Sequence, residues 1–378
     1  MVPPRTEPGE YRTGARVLPR TLPDCENFII VCGVHRDHTF HALRIARVVE
    51  ETDDARSFVL DIPAELHDTY AYEAGQFCSF QVVVDGEAHV RCYSMSSAPG
   101  VDAELQVTVK RVAGGIVSNW MIDNLRPGDS IDVAPPTGFF QLTDDNGDLV
   151  LFAAGSGVTP VFSLAKAALA TTNRRIRLLY ANRDGSTVIF ERELTTLAAE
   201  HPDRLCVVHH FDVDDGFVDS AKAAAFLDGA RVPTSYVCGP TPFMDIVEHA
   251  LLDNGIETDQ IHIERFTPGG PVIEPVDEPD ATTVAAPTRI TIELDGRTET
   301  AEHHPGTTIL QTARSMGMSP PFSCEAGSCA TCMARLADGE ATMHTNNALT
   351  PEEVGDGWVL TCQAVPTSPT VHVVYGYD

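Results

Sequence analysis

The chain has 378 residues, with 54 acidic and 26 basic side chains and a formal net charge of −28 at pH 7. This charge argues against nucleic acid as a partner, and no apolar run is long enough to cross a bilayer. The length predicts about two to three domains, each able to bury its own core.

The N-terminal part of the chain predicts an irregular arm followed by a β-barrel. Residues 1–40 contain five prolines, which interrupt any helix, and only 28–31 is continuously apolar. Residues 41–142 then carry short β-branched stretches separated by turn signals, which predict an antiparallel barrel. The stretches are 43–49, 57–62, 75–84, 89–95, 104–112 and 129–134.

A candidate flavin site lies in this barrel, at Arg91-Cys92-Tyr93-Ser94. A guanidinium can clamp a phosphate, a phenol can lie against a flat ring, and a hydroxyl can bond a ring nitrogen. Alone, the pattern is weak. It is followed by Gly114-Gly115 and a helix-like run that begins at Ser118, and helix N-termini receive phosphate. Both features in this order favour a flavin site over a capped structural helix.

Residues 143–267 predict a doubly wound parallel sheet, because strand-like and helix-like stretches alternate. The strand-like stretches are 149–154, 175–182, 204–211, 234–238 and 260–263. Directly after the first comes Gly155-Ser156-Gly157-Val158-Thr159-Pro160, where a pyrophosphate could approach the backbone. The motif is not G-x-G-x-x-G, so a plain tight turn stays the alternative. Another strand-end loop follows the fourth stretch, at Cys238-Gly239-Pro240.

Residues 268–287 predict an inter-domain linker, because they are rich in proline, glycine and acidic residues and have little to bury. Residues 288–378 begin with a predicted hairpin and a helix over 307–315. A cysteine loop comes next. We expect this segment to form a separate domain.

Four cysteines in this last segment predict a plant-type [2Fe-2S] cluster, since their spacing is C-x4-C-x2-C followed by a distant cysteine. They are Cys324, Cys329, Cys332 and Cys362. Structural zinc or disulfides are the alternatives. The other six cysteines are scattered without a pairing rhythm, which indicates a reducing, cytoplasmic setting. These are Cys25, Cys32, Cys78, Cys92, Cys206 and Cys238.

The cluster-bearing segment is markedly acidic. Residues 289–378 hold 11 acidic side chains against 4 arginines and no lysine. This excess could steer the domain toward a basic face on an electron acceptor. It could equally be a solvated surface, since the whole chain is acidic.

These motifs, in this order, resemble the ferredoxin-NADP reductase superfamily fused to a C-terminal plant-type ferredoxin, over residues 41–378. The resemblance implies a multidomain protein with an antiparallel β-barrel flavin domain, an α/β parallel-sheet nicotinamide domain and an α+β β-grasp ferredoxin domain. The stretches 91–97, 107–111, 178–184, 262–266 and 321–332 resemble the reductase components of 3-ketosteroid 9α-hydroxylases, and those of phenylacetyl-CoA epoxidases come second. Phthalate dioxygenase reductase shares the domain order but carries FMN, whereas the Gly114-Gly115 loop and residues 136–139 favour FAD.

The resemblance also implies roles for individual residues. Arg91 would bind the flavin phosphate, Tyr93 would lie against the isoalloxazine, and Ser94 would lie near flavin N5. The backbone of Thr108 to Lys110 would flank the ring, and Phe266 would cover it. The pyrophosphate would be bound by Gly114, Gly115 and Ser118, and the nicotinamide dinucleotide by Gly155, Gly157, Thr159, Pro160, Cys238, Gly239 and Pro240.

Catalytic roles are implied for Ser94, Cys238 and Glu264. Cys238 would order hydride transfer, although a small buried residue at a strand end is nearly as good an interpretation. Glu264 would assist proton movement or pair with a neighbour, and both possibilities stay open.

The choice between NADH and NADPH turns on the end of the second strand of the parallel sheet. Asp184 would accept from a ribose 2′-hydroxyl and repel a 2′-phosphate, whereas Arg183 could accommodate that phosphate. The two signals conflict. The resemblance favours NADH and leaves NADPH possible.

The expected function is a cytoplasmic, monomeric reductase that passes electrons from NADH through FAD and the [2Fe-2S] cluster to a separate oxygenase. The resemblance implies a Rieske-type steroid hydroxylase as the acceptor. One alternative is delivery to a di-iron hydroxylase or a phenylacetyl-CoA-type epoxidase. Another is an iron-sulfur redox sensor or carrier.

Overall fold

The computed structural model describes residues 39–266, 288–294, 296–318, 320–322, 325, 327, 330–346 and 348–376. Nearly all of the predicted arm (1–40) and the whole predicted linker (268–287) lie outside these residues. The chain divides into two compact units. The described part of one is residues 40–266, and that of the other is residue 39 with the described residues from 288 onward. No helix in the described part of the chain is long and apolar enough to cross a membrane.

The first half of residues 40–266 is the predicted antiparallel barrel. Its strands are β1 (His41–Thr52), β2 (Ala55–Asp61), β3 (Phe77–Val84), β4 (Glu87–Ser94), β5 (Leu105–Lys110) and β6 (Ser130–Val133). They are ordered β4-β3-β6-β1-β2-β5, and an antiparallel bridge between Met95 and Val107 joins the two ends. Alternate side chains such as Phe58, Phe80 and Val107 fill the interior. The helix α1 (Ile116–Asn124) adds Met121 to this core.

The second half is the predicted parallel sheet with helices between its strands. The strands are β7 (Leu149–Ala154), β8 (Ile176–Asn182), β9 (Leu205–Phe211), β10 (Thr234–Gly239) and β11 (Ile261–Arg265). The helices are α2 (Val158–Thr171), α3 (Glu191–Glu200), α4 (Asp212–Asp215), α5 (Ser220–Phe226) and α6 (Thr241–Asp253). The strand order is β11-β10-β7-β8-β9. Every residue of β7 is buried, as expected for a strand covered by helices on both faces.

Residues from 288 onward form a mixed sheet with short helices, which confirms the α+β class. The strands are β12 (Thr288–Leu294), β13 (Arg297–His303), β14 (Met333–Asp338), β15 (Ala341–Met343), β16 (Trp358–Leu360), β17 (Ala364–Pro366) and β18 (Thr370–Val374). The main sheet is ordered β13-β12-β18-β14-β16, and β15 pairs with β17. The helices are α7 (Ile309–Ser315), which Thr308 caps, and α8 (Pro351–Gly355).

Candidate functional site

A cavity of about 500 Å³ lies where the barrel meets the C-terminal ends of β7, β10 and β11. This is the edge at which doubly wound sheets bind their ligands. Of the predicted cofactor-binding residues, all but Gly157, Pro160, Asp184 and Cys238 line it. The barrel supplies Arg91, Cys92, Tyr93, Ser94, Thr108, Lys110, Val112, Ala113, Gly114, Gly115, Ile116, Val117 and Ser118, and the parallel sheet supplies Ala154, Gly155, Ser156, Thr159, Gly239, Pro240 and Phe266.

The start of α1 forms one end of this cavity and fits a phosphate group. Gly114 has a φ of 72°, and Gly115 caps the helix without any side-chain hydrogen bond. A Cβ on Gly115 would lie 2.6 Å from Ser118 Oγ, so a larger residue would fill this space. Ser118 Oγ is buried and has no hydrogen-bond partner among the described residues. An unpartnered hydroxyl beside open helix N–H groups is suited to bind a pyrophosphate.

The strand end of β4 presents the predicted flavin-binding side chains to the same cavity. Tyr93 packs edge-to-face on Phe80 with ring centroids 5.6 Å apart. Burial raises the pKa of Tyr93, so its phenol stays neutral. Arg91 Nη1 donates to the main-chain oxygen of Val90 at 2.7 Å. Among the described residues its other guanidinium donors have no hydrogen-bond partner, so they can reach a ligand.

Ser94 and Glu264 form a hydrogen-bonded pair across the cavity wall. Ser94 Oγ donates to Glu264 Oε2 at 2.9 Å. Loss of water around Glu264 raises the pKa of its carboxyl to about 8, against the opposing effect of the Ser94 hydrogen bond. Near neutral pH the carboxyl therefore holds a proton next to Ser94.

The turn after β7 is shaped by a close approach to β10. Gly155 has a φ of 54°. A Cβ on Gly157 would lie 2.2 Å from the main-chain oxygen of Cys238, so only glycine fits there. Gly157 and Pro160 do not line the cavity themselves, and instead hold the turn and the start of α2 in place.

Tyr180 supports this turn, and the sequence reasoning did not find it. Its hydroxyl donates to the Gly155 main-chain oxygen at 3.2 Å and accepts from the Ile189 N–H at 3.2 Å. Tyr180 is fully buried in β8. A tyrosine in a strand that is buried on both faces needs a hydrogen-bond partner for its hydroxyl. This requirement is the feature of the sequence that could have indicated a supporting role for Tyr180.

Cys238 lies behind the cavity wall rather than in it. Its side chain is fully buried, and in the parallel register it stands between Ala153 and Glu264. Burial, and then the charge of Glu264, raise the pKa of the thiol well above its ordinary value. Cys238 is thus a neutral thiol in the described structure.

Asp184 lies outside the cavity, beyond the end of β8. Its Oδ1 accepts from the Ser186 N–H at 2.9 Å, and its Oδ2 accepts from Arg183 Nε at 2.9 Å. Hydrogen bonds from Ser186 and Arg183 lower its pKa to about 2. The two residues that predict opposite nucleotide preferences are therefore paired with each other.

Two of the four predicted cluster ligands, Cys324 and Cys329, lie outside the described residues. The other two, Cys332 and Cys362, are buried. The Thr361 N–H and hydroxyl both donate to the Cys332 main-chain oxygen, at 3.1 and 2.8 Å. This double contact holds the segments that carry Cys332 and Cys362 side by side.

Hydrogen bonds from two other segments of the chain hold the described part of the cysteine loop. Gln363 Nε2 donates to the main-chain oxygen of Glu325 at 2.8 Å, and the Glu325 carboxylate accepts from Arg314 at 3.2 Å. Gly327 and Ala330 have φ values of 73° and 55°. Left-handed backbone at these positions gives the tight loop that a buried cluster requires.

Comparison with known proteins finds matches along most of the chain. Residues 42–142 match an oxidoreductase FAD-binding domain, 151–249 an oxidoreductase NAD-binding domain, and 292–367 a 2Fe-2S iron-sulfur cluster binding domain. The ferredoxin reductase component of 3-ketosteroid-9-alpha-monooxygenase from Mycolicibacterium smegmatis is 40% identical over 88% of this chain and 96% of its own length.

Two further relatives are similar over a comparable length. One subunit of the 1,2-phenylacetyl-CoA epoxidase from Escherichia coli K12 is 33% identical over 90% of this chain and 98% of its own. The structure of phthalate dioxygenase reductase, described as modular for electron transfer from pyridine nucleotides to [2Fe-2S], aligns with a TM-score of 0.56. It is 26% identical, over 89% of this chain and 98% of that one.

Proposed function

Because the chain belongs to the family of oxygenase reductase components that join FAD-binding, NAD-binding and [2Fe-2S] domains, we propose that it carries electrons from NADH to a Rieske-type steroid hydroxylase. Bound FAD supplies the conversion from two-electron to one-electron chemistry, and the cluster supplies one-electron transfer. The observation that carries the proposal is the cavity shared by the α1 phosphate loop, the Ser94 strand end and the turn after β7.

The proposed roles follow from where each side chain lies. Arg91, Gly114, Gly115 and Ser118 bind the flavin phosphates, and Tyr93, Thr108, Lys110 and Phe266 surround the ring. Gly155, Thr159, Gly239 and Pro240 receive the nicotinamide dinucleotide. Ser94 orients the reacting edge of the ring, and Glu264 holds a proton next to it.

Gly157, Pro160 and Cys238 act from behind the wall, where they fix the two turns. Cys238 is therefore not proposed to contact the reacting atoms. The Cys238 main-chain oxygen limits how closely the turn at Gly157 can approach, and the register of Cys238 in β10 places Gly239 at the end of the strand.

We propose that NADH, rather than NADPH, is the electron donor. The Asp184 carboxylate accepts hydrogen bonds from Ser186 and holds Arg183 against itself, which lowers the availability of Arg183 for a 2′-phosphate. A negative carboxylate at this position also repels that phosphate. At least a tenfold preference for NADPH in kcat/KM would overturn this choice.

The steroid hydroxylase is proposed as acceptor from the name of the 40% identical relative and from the resemblance of the motifs. Acidic side chains are exposed on the proposed ferredoxin domain, among them Glu302, Asp338, Glu340, Glu352 and Asp356. They suit a basic docking face on the acceptor.

We propose domain limits of 41–142, 143–267 and 288–378, with 268–287 as the linker. We also propose that the protein is a monomer in the cytoplasm.

Electron flow is tested with the purified holoprotein. We expect NADH to reduce both ferricyanide and cytochrome c, and Cys329→Ser to abolish only the cytochrome c reaction. Cys206→Ser is the matched control, since Cys206 is exposed on β9, and it should change neither reaction. A cluster that equilibrates with the flavin too slowly for turnover would instead indicate a sensor.

The acceptor is tested by reconstitution with purified oxygenases. We expect NADH-dependent hydroxylation of a 3-ketosteroid with a Rieske-type partner. Turnover only with a di-iron hydroxylase or a phenylacetyl-CoA epoxidase would refute the Rieske assignment while leaving the reductase activity intact.

A further inference from the structure

A continuous chain of hydrogen-bonded side chains runs from the cavity wall to Glu51 on β1. The Ser57 hydroxyl donates to Glu51 Oε1 at 2.5 Å. The hydroxyls of Ser57 and Thr108 are 2.7 Å apart, and those of Thr108 and Ser96 are 2.8 Å apart. Ser57, Thr108 and Ser96 are almost completely buried. Thr108 also lines the cavity, so the chain ends in the proposed flavin site.

The direction of these hydrogen bonds is set by the charge on Glu51. An ionised Glu51 only accepts, so Ser57 donates to it, Thr108 to Ser57 and Ser96 to Thr108. At the far end, Gln106 Nε2 is placed to donate to Ser96 Oγ at 3.2 Å. A protonated Glu51 can donate instead, and then each hydroxyl turns around. Ser96 finds its acceptor in the Gln106 main-chain oxygen, 3.3 Å away.

Glu51 also reaches the nucleotide-binding half of residues 40–266. The main-chain N–H of Phe190 is close enough to the Glu51 carboxylate to lower its pKa. Phe190 precedes α3 with a φ of 62°, and its ring stacks on Phe162 of α2 with centroids 4.7 Å apart. Glu51 is therefore hydrogen-bonded to the barrel wall and lies near the segment that precedes α3. The charged or titratable groups that face it are Arg192 and Glu193 on α3 and Tyr180 on β8.

These surroundings make the carboxyl easier to protonate than an exposed glutamate. Loss of water around Glu51 raises its pKa, and Glu193 adds to the rise. The hydrogen bond from Ser57, the Phe190 N–H and the charge of Arg192 oppose it.

We propose that Glu51 is a positioning residue for electron entry: its carboxylate fixes the orientation of the Thr108 hydroxyl, and its protonation reverses the hydroxyl chain. The inference rests on the proposed function, because Thr108 acts in it as part of the flavin wall. Thr108 changes from a donor toward Ser57 to a donor toward Ser96, which alters the wall next to the ring without breaking any bond.

The test is the pH dependence of flavin reduction by NADH in single turnovers of the holoprotein, with Glu51→Gln and, as matched control, Glu50→Gln. Glu50 is the adjacent residue of β1, and its side chain is 78% exposed. We expect the wild-type rate to fall about tenfold as the pH drops through the Glu51 titration, because misalignment of the reacting groups slows the transfer. Glu51→Gln cannot titrate and should give a rate that does not depend on pH in this range, and Glu50→Gln should behave as wild type.

A second variant and a second readout separate positioning from a merely structural role. Ser57→Ala removes the hydroxyl that joins Glu51 to Thr108, so the acid limb should disappear although the Glu51 carboxyl still titrates. The absorption spectrum of the oxidised flavin, titrated without nucleotide, should change over the same pH range in the wild type and not in Glu51→Gln.

The inference is overturned by an acid limb that survives in Glu51→Gln or in Ser57→Ala, or by one that Glu50→Gln also removes. Reduction of the wild-type flavin by NADH without any acid limb would refute this inference alone. No reduction by NADH at any pH would refute the proposed function.

Discussion

Replacing Gly157 by alanine tests the idea that the nicotinamide turn is positioned by its contact with β10. The added Cβ would lie 2.2 Å from the Cys238 main-chain oxygen and 2.4 Å from its carbonyl carbon, whereas ordinary contacts begin at 3.4 Å. The turn must therefore move away from β10 by about 1 Å, since β10 is held by β7 and β11 on both sides. A shift of this size in a reacting complex costs about 100-fold in rate.

We expect Gly157→Ala to lower kcat/KM for NADH by about 100-fold and the free energy of unfolding by about 1–3 kcal/mol. FAD content should stay near that of the wild type, because the barrel supplies the phosphate loop. Steady-state ferricyanide reduction, thermal unfolding and the flavin-to-protein absorbance ratio measure the three quantities.

The control is Gly355→Ala at the end of α8, where an added Cβ meets nothing within 4 Å. This variant should keep the wild-type kcat/KM. A Gly157→Ala protein whose kcat/KM for NADH lies within about threefold of wild type would refute the reasoning, because the close approach would then not position the nucleotide.

Three further predictions concern the other parts of the site. Glu264→Gln keeps an acceptor for Ser94 but removes a carboxyl that the native state keeps protonated up to about pH 8. As the pH rises from 4.5 toward 8, the free energy of unfolding of the wild type should fall by at most about 1.4 kcal/mol per pH unit through this group. Thermal unfolding across this pH range should show that fall in the wild type and not in the variant. Asp184→Ser releases Arg183 and removes a negative charge, so kcat/KM for NADPH relative to NADH should rise about tenfold, and an unchanged ratio would count against the specificity proposal. Gln363→Met removes a hydrogen bond to the cysteine loop, so the [2Fe-2S] absorbance should decay about fivefold faster in the presence of an iron chelator.

The sequence predicted the elements and the order of the sites well, because these depend on local patterns. Each of the six barrel strands and five parallel strands was predicted to within a few residues, since hydrophobic runs and glycine turns mark them directly. The glycines at positions 114, 115, 155 and 239 reach the cavity for the same reason: they follow strands or precede helices.

What the sequence did not predict depends on contacts between distant segments. For Cys238 the sequence left a catalytic role and a small buried residue at a strand end both open, because the face that each residue of β10 presents is set by packing on both sides of the sheet. Tyr180 and Ser57 were missed because their partners, at Gly155, Glu51 and Thr108, lie 25, 6 and 51 residues away. No local pattern links such pairs.

The order of the parallel strands places the cavity at one edge of the sheet and leaves the other edge free to change in length. The cavity is built on the ends of β11, β10 and β7, which are adjacent, whereas β9 is at the opposite edge of the sheet. Insertions among the exposed residues 213–217, which follow β9, would therefore lengthen the far edge and leave the spacing of the three cavity strands intact. Even a single-residue shift of β10 would move two turns and the Glu264 register together.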